Sequence, residues 1–212
     1  MSVRALPKDN RFVTWTDWQG YSKFLEAIGD RPIRLTYDQG ALEIMSPTQE
    51  HERIKTILGH LLVTLVDELG LELEAGGSMT FRREDLDRGL EPDECYWIAN
   101  AHLVVEGEYD AATGPPPDLV VEVDITRRSI DRMKMYASMG VPEVWRYDRK
   151  KGLLIYQLSP SGKYLERPLS PTFPQIPLSE FHRLLKLRKE MTLSAILRAF
   201  RGWLRTFLET QP

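Results

Sequence analysis

One stretch narrows the folds open to this chain more than any other. Residues 117–125 read PDLVVEVDI, residues 126–140 read TRRSIDRMKMYASMG, and residues 142–148 read PEVWRYD. A strand, a helix closed by Gly140 and a second strand make a βαβ unit, which implies a parallel pair. An α/β fold follows, with a mixed central sheet flanked by helices. In the first strand Leu119, Val121 and Val123 share one face, and Asp118, Val120, Glu122 and Asp124 share the other. A strand buried on both faces is normally apolar on both. Three carboxylates on one side therefore need a cation, a hydrogen-bonding partner or water.

The remaining chain supplies elements to surround that unit. Residues 16–30 read as a short helix with Thr16 as N-cap. Residues 31–47 read as a hairpin turning at Asp38-Gln39-Gly40. From Ile54 to Leu69 apolar residues recur at the helical period, and Gly70 ends the run. Strands are expected at 71–76, 78–83 and 93–99, a turn-rich exposed loop at 106–117, and a hairpin at 151–169. From about 178 the chain is helical and moderately basic. The expected division is an α/β domain over 1–177 and a helical arm over 178–212, packed on that domain or on a partner subunit. In the arm, Leu193, Ile196, Leu197, Phe200, Trp203 and Leu204 form one face. Packing is the favoured use of that face; phosphate, a membrane surface or a partner chain are the alternatives.

Composition restricts the function classes. The single cysteine, Cys95, excludes an internal disulfide and a zinc-finger cluster and suits a reducing cytoplasm. Cys95 is expected as a buried core thiol. No apolar run reaches the roughly 18 residues of a membrane span, and the first fifteen residues lack the apolar segment of a secretory signal. The net charge of −3 is not the footprint of a nucleic-acid binder, so a phosphate-binding surface would have to be local.

The acids pair best across strands. Asp118 and Glu122 stand roughly 13 Å apart along one strand, too far to clamp one ion easily. Glu122 and Asp124 are closer neighbours. Residues 91–98, EPDECYWI, repeat the order Pro, Asp, strand, and would place Asp93 on a strand beside Glu122. Such a pair suits Mg²⁺, which takes one or two carboxylates plus water and substrate phosphate. The structural alternatives are a strand-end cap, a salt bridge to the arginines of 126–132, or exposure at a sheet edge. Asp124 either caps the following helix or is a third acid.

Four stretches carry a family resemblance: LEIMSPTQEHERI (42–54), GLEPDECYWI (89–98), PDLVVEVDIT (117–126) and YASMGVPEVWRYD (136–148). Together they resemble the bacterial Uma-two family of restriction-endonuclease-like proteins, within the PD-(D/E)xK nuclease superfamily. The resemblance implies a restriction-endonuclease-like fold and Mg²⁺- or Mn²⁺-assisted hydrolysis of nucleic acid, with DNA as the expected substrate. It implies Asp93 and Glu122 as metal ligands, Asp118 as an acid at the site's edge and a further candidate ligand, and His51 at the opening of the long helix. The superfamily lysine two residues after the Glu is replaced by Asp124. The family's cation position on the following helix holds Arg132, with Lys134 two residues on, about 200° around the helix. An arginine stabilises a phosphate but stays protonated and makes a poor base.

Other residues have plainer readings. His51 in a first helical turn and Lys134 on an amphipathic helix are by default solvated. Glu43 is expected at the surface, and Trp145 and Tyr147 as strand packing. Three functions stand: a metal-dependent endonuclease, a non-catalytic binding or assembly module on the same fold, and a hydrolase of small phosphoesters. Duplex cleavage commonly needs two sites, so a homodimer is a further expectation.

Overall fold

The computed structural model describes residues 10–29, 31–105, 109–125 and 129–210. Strand β1 (Asn10–Trp15) leads into helix α1 (Trp18–Ile28) and the hairpin β2 (Arg34–Asp38) and β3 (Ala41–Ser46). The long helix α2 (Gln49–Glu68) is followed by four short strands: β4 (Glu74–Ala75), β5 (Phe81–Arg83), β6 (Arg88–Leu90) and β7 (Glu94–Trp97). The βαβ unit comprises β8 (Leu119–Asp124), α3 (Arg132–Ser138) and β9 (Glu143–Asp148). A second hairpin, β10 (Gly152–Leu158) and β11 (Tyr164–Arg167), precedes α4 (Leu178–Leu187) and α5 (Leu193–Glu209).

The strands form two sheets. The mixed sheet runs β11-β10-β9-β8-β7-β4, with β8 and β9 parallel as the βαβ pattern requires. An antiparallel sheet, β1-β3-β2-β6-β5, stands beside it; its β2–β3 hairpin is the one expected over 31–47 and β5 falls in the strand expected at 78–83, but a second sheet was not expected. Strands β1 and β6 were not anticipated. β6 is three residues long and contains Gly89, and β1 leaves Phe12 and Trp15 largely exposed, so neither has the alternation of a half-buried strand.

Local chemistry sets the element ends. Gln39 and Gly40 have positive φ, 48° and 96°, as a two-residue hairpin turn demands. Asp17, not Thr16, caps α1, its carboxylate accepting from the Gly20 amide at 2.8 Å. Thr16 is held in the extended chain by the bond from its own amide to Gly40 O. Thr48 caps α2 by accepting from the His51 amide, so the helix begins a turn before its first core residue, Ile54. Helix α3 is shorter than the expected 126–140. Residues 126–128 lie outside the described residues, and the helix starts at Arg132.

The two faces of β8 are treated differently. Leu119, Val121, Val123 and Ile125 pack into a core with α2, α4 and α5. Phe181, Leu184, Ile196, Phe200 and Leu204 of the C-terminal helices belong to that same core. On the opposite face Val120 packs with Met135 and Tyr136 of α3 and with Phe81 and Leu90 of the second sheet, leaving Glu122 and Asp124 beyond the apolar part. A third cluster joins α1 to the antiparallel sheet, where Tyr21 stacks on Tyr37 at 5.0 Å between ring centres.

Tyr21 lies over Gly89, where an added Cβ would sit 2.2 Å from the hydroxyl oxygen. Tyr21 is fully buried, so the ring has no room to retreat. Gly89→Ala is expected to lower stability by about 2 kcal/mol, read by urea denaturation; an unchanged midpoint would contradict this packing.

Candidate active site

Antiparallel pairing of β7 with β8 sets Glu94 opposite Val121 and Cys95 opposite Val120. One residue further along the same register, Asp93 stands opposite Glu122. Asp93 Oδ2 accepts from the Val123 amide at 2.7 Å, which ties the carboxylate to β8. Both acids are buried, Asp93 at 0% and Glu122 at 2% exposure. Buried carboxylates at such positions require compensating charge.

His51 and Arg132 supply it. His51, in the first turn of α2, is fully buried, with Nε2 3.2 Å from Asp93 Oδ2 and Nδ1 3.3 Å from Glu52 Oε1. The contact with Asp93 has ion-pair distance without well-aligned hydrogen-bond geometry. Burial disfavours the imidazolium, but the polar contacts and charges of Asp93 and Glu52 outweigh it and hold the pKa up at about 9. On α3, Arg132 Nη2 lies 2.8 Å from Glu122 Oε1 and donates to the Tyr136 hydroxyl at 3.0 Å and to Glu91 O. The Tyr136 hydroxyl donates in turn to Glu122 Oε1. Arg132 and Tyr136 are four residues apart and so meet on one helix face.

Glu122, Arg132 and Tyr136 border a cleft of about 320 Å³ whose lining also includes Asp124, Ser129 and Arg146, whereas Asp93 and His51 lie outside that lining. Asp124 is buried and accepts from Arg146 Nε at 2.5 Å. Glu43 is buried rather than at the surface: Oε1 accepts from Arg11 and Oε2 from the amide of Ser129, so β3 of the second sheet anchors the cleft's rim. Strand alternation alone did not reveal this, because the covering group comes from a distant segment.

The structure gathers Asp93, Glu122, Arg132 and His51 and leaves two candidates apart. Asp118 accepts from the Ile98 and Asn100 amides and from Asn100 Nδ2, so it closes the turn after β7. Lys134 points to solvent, its side chain 77% exposed and 3.7 Å from Asp131. Arg132 also realises the salt-bridge alternative, since it belongs to the arginine-bearing segment 126–132. Cys95, Trp145 and Tyr147 are buried, as expected.

The charged His51 makes a pH prediction for the protein in chelator. Its pKa is raised on folding, so its stabilisation is complete below about 6.5 and is lost as pH rises through about 9. The stability difference between wild type and His51→Asn should therefore shrink between about pH 6 and pH 10; a constant difference would show that His51 is not charged.

The mixed sheet with its parallel β8–β9 pair and flanking helices makes this an α/β protein. The chain belongs to the Uma2 family, whose model, described as "Putative restriction endonuclease", matches residues 19–190. That match ends before α5. A solved structure described as "a putative nuclease belonging to DUF820", from Anabaena variabilis, is 16% identical. The similarity covers 84% of this chain and 97% of that one, with a TM-score of 0.49. No curated protein matches.

Proposed function

We propose that the protein is a Mg²⁺- or Mn²⁺-dependent endonuclease that hydrolyses phosphodiester bonds of nucleic acid, with DNA as substrate. The observation that carries this reading is the placement of Asp93 opposite Glu122, with Glu122 and Arg132 bordering a cleft that is also lined by Asp124, Asp131 and Arg146. Among the described residues no group of three or more His, Cys, Asp and Glu side chains forms a candidate metal site. A two-carboxylate set nevertheless fits Mg²⁺, which keeps water and substrate oxygens in its shell. Asp93 and Glu122 would hold the ion. The chemistry a divalent ion supplies in such a place is a lowered pKa of water and neutralised charge on the phosphate.

The chain's own groups divide the remaining work. Arg132 offers positive charge to the phosphate and cannot serve as a base. Tyr136 fixes the Glu122 carboxylate by its hydroxyl. His51, 3.2 Å from Asp93 Oδ2, positions that carboxylate. A cytoplasmic location and a homodimer, one copy per strand of a duplex, complete the proposal. Among the described residues no helix is long and apolar enough to cross a membrane.

The second reading, a catalytically inactive binding module, has its own support. Asp93 and Glu122 each already have a cationic neighbour, and Asp124 stands where the superfamily has lysine. Plasmid nicking separates the two. Purified wild type with Mg²⁺ or Mn²⁺ is expected to nick, and Glu122→Gln is expected not to; equal behaviour of the two proteins would leave the binding reading.

A further inference from the structure

A second concavity, of about 330 Å³, opens between the β9–β10 turn and α4. Arg149, Lys150, Lys151, His182, Lys186 and Arg188 line it, in a chain whose net charge is −3. Two of these cations have structural duties. Arg149 and Arg188 lie 2.8 Å and 3.8 Å from Glu50, and Arg188 also donates to Leu185 O. Lys150, Lys151 and Lys186 are exposed, and none has an ion-pair partner among the described residues. Their backbone is nevertheless held in place: Asp148 Oδ1 accepts from the amides of both Lys150 and Lys151, and Lys186 lies in the last turn of α4. Like charges placed together on ordered backbone repel one another, so folding does not account for them.

Position links this cluster to the cleft. Parallel register sets Asp124 of β8 beside Asp148 of β9, and the Arg149 amide donates to Asp124 O. Glu122 pairs with Arg146, three residues before Arg149, so the cluster begins about 10 Å beyond the acids along the strands. Glu50, which holds Arg149, is next to His51 in the first turn of α2. The acids and the lysines thus share the C-terminal end of the parallel pair. The lysines lie on the side of the sheet that α4 covers and Glu122 on the side that α3 covers, so that a duplex would span the end of the sheet to touch both. That end combines a site whose acids are matched by His51, Arg132 and Arg146 with a neighbouring group of lysines that have no ion-pair partner among the described residues.

We infer that Lys150, Lys151 and Lys186 form a docking surface for backbone phosphates of duplex DNA flanking the bond held at Glu122. This inference rests on the endonuclease reading. Such contacts are independent of base sequence and release counterions, so each appears in the salt dependence of binding. The surface also explains how an acidic chain would approach a polyanion: the attraction is local, and the acids are buried.

The test uses the full chain and a fluorescently labelled duplex, with anisotropy measured in EDTA over a range of salt. The combined variant Lys150→Gln, Lys151→Gln, Lys186→Gln is expected to bind about tenfold or more weakly near 0.1 M salt. Its log–log salt slope should be shallower by about three, one per lost phosphate contact. A charge-matched control, Lys23→Gln, Lys163→Gln, Arg198→Gln, should keep the wild-type slope. All six positions are exposed, so thermal melting should confirm unchanged folding in both variants. If wild type nicks in a Glu122-dependent way but the lysine variant or the control does not behave as described, this inference falls alone. Wild type that neither binds nor nicks overturns it together with the endonuclease reading. Lysine-dependent binding without nicking upholds the docking surface and removes only catalysis. Binding to anionic vesicles in place of duplex would overturn it in favour of a membrane surface.

Discussion

Glu122→Gln is expected to reduce metal-dependent plasmid nicking at least about 100-fold, the scale at which loss of one transition-state electrostatic group usually registers. The substitution keeps shape and removes charge. It also leaves Arg132 buried beside a neutral amide, and breaking a buried pair by removing one partner costs about 3 kcal/mol or more. Here the loss is limited, because Arg132 retains Glu91 O and the Tyr136 hydroxyl as acceptors. Nicking must therefore be compared at a temperature where both proteins are folded. Adding Arg132→Met to Glu122→Gln should recover part of the stability by removing the stranded charge, without recovering cleavage. Wild-type nicking by folded Glu122→Gln would remove the catalytic role of this carboxylate.

The largest effect on folding is expected at another acid. Glu143 at the start of β9 is 2% exposed and accepts four hydrogen bonds. Oε1 accepts from Trp145 Nε1 at 2.5 Å and Ser170 Oγ at 2.6 Å, and Oε2 from the Thr172 amide at 3.0 Å and Oγ1 at 2.7 Å. This carboxylate pins the segment after β11 to the mixed sheet, where Phe173 packs edge-on against Trp145. Glu143→Ala strands four donors and opens a void, and should cost about 4 kcal/mol in urea or guanidinium denaturation. Glu143→Gln, which retains one acceptor oxygen, should cost about half as much. A loss below about 1 kcal/mol for the alanine variant would show that the network does not hold this segment. Glu143 thus differs from Glu122 in kind: its four donors account for it fully, whereas Glu122 borders a cleft.

Much of the fold was legible because its signals are local. The apolar period of α2, the Asp38-Gln39-Gly40 turn and the strand–helix–strand order around Glu122 each follow from backbone geometry over a few residues. The acidic pair was legible too, since Pro-Asp before a strand occurs twice. β1 and β6 escaped because their pairing partners, not their own patterns, make them strands. Asp118 and Asp93 look alike in sequence, each following proline at a strand's start. Only one lies opposite Glu122; the other meets the amides of Ile98 and Asn100 and becomes a turn cap.

By itself the sequence determined the α/β class, the parallel pair β8–β9, the apolar face that α2 covers, and the candidacy of Asp93, Glu122 and Arg132. The class, the parallel pair and the apolar face follow from side-chain periodicity, and the acids stand out through the high free energy of a lone buried carboxylate; Arg132 is a candidate only through the family resemblance. Tertiary structure decided which charges meet. It buried His51 against Asp93, set Arg132 and Tyr136 on Glu122, turned Lys134 to solvent, and grouped lysines from a turn and a helix 35 residues apart. The reason is range: backbone preferences act between near neighbours in the chain, whereas electrostatic pairing depends on distance in space, which only the packed sheets and helices establish.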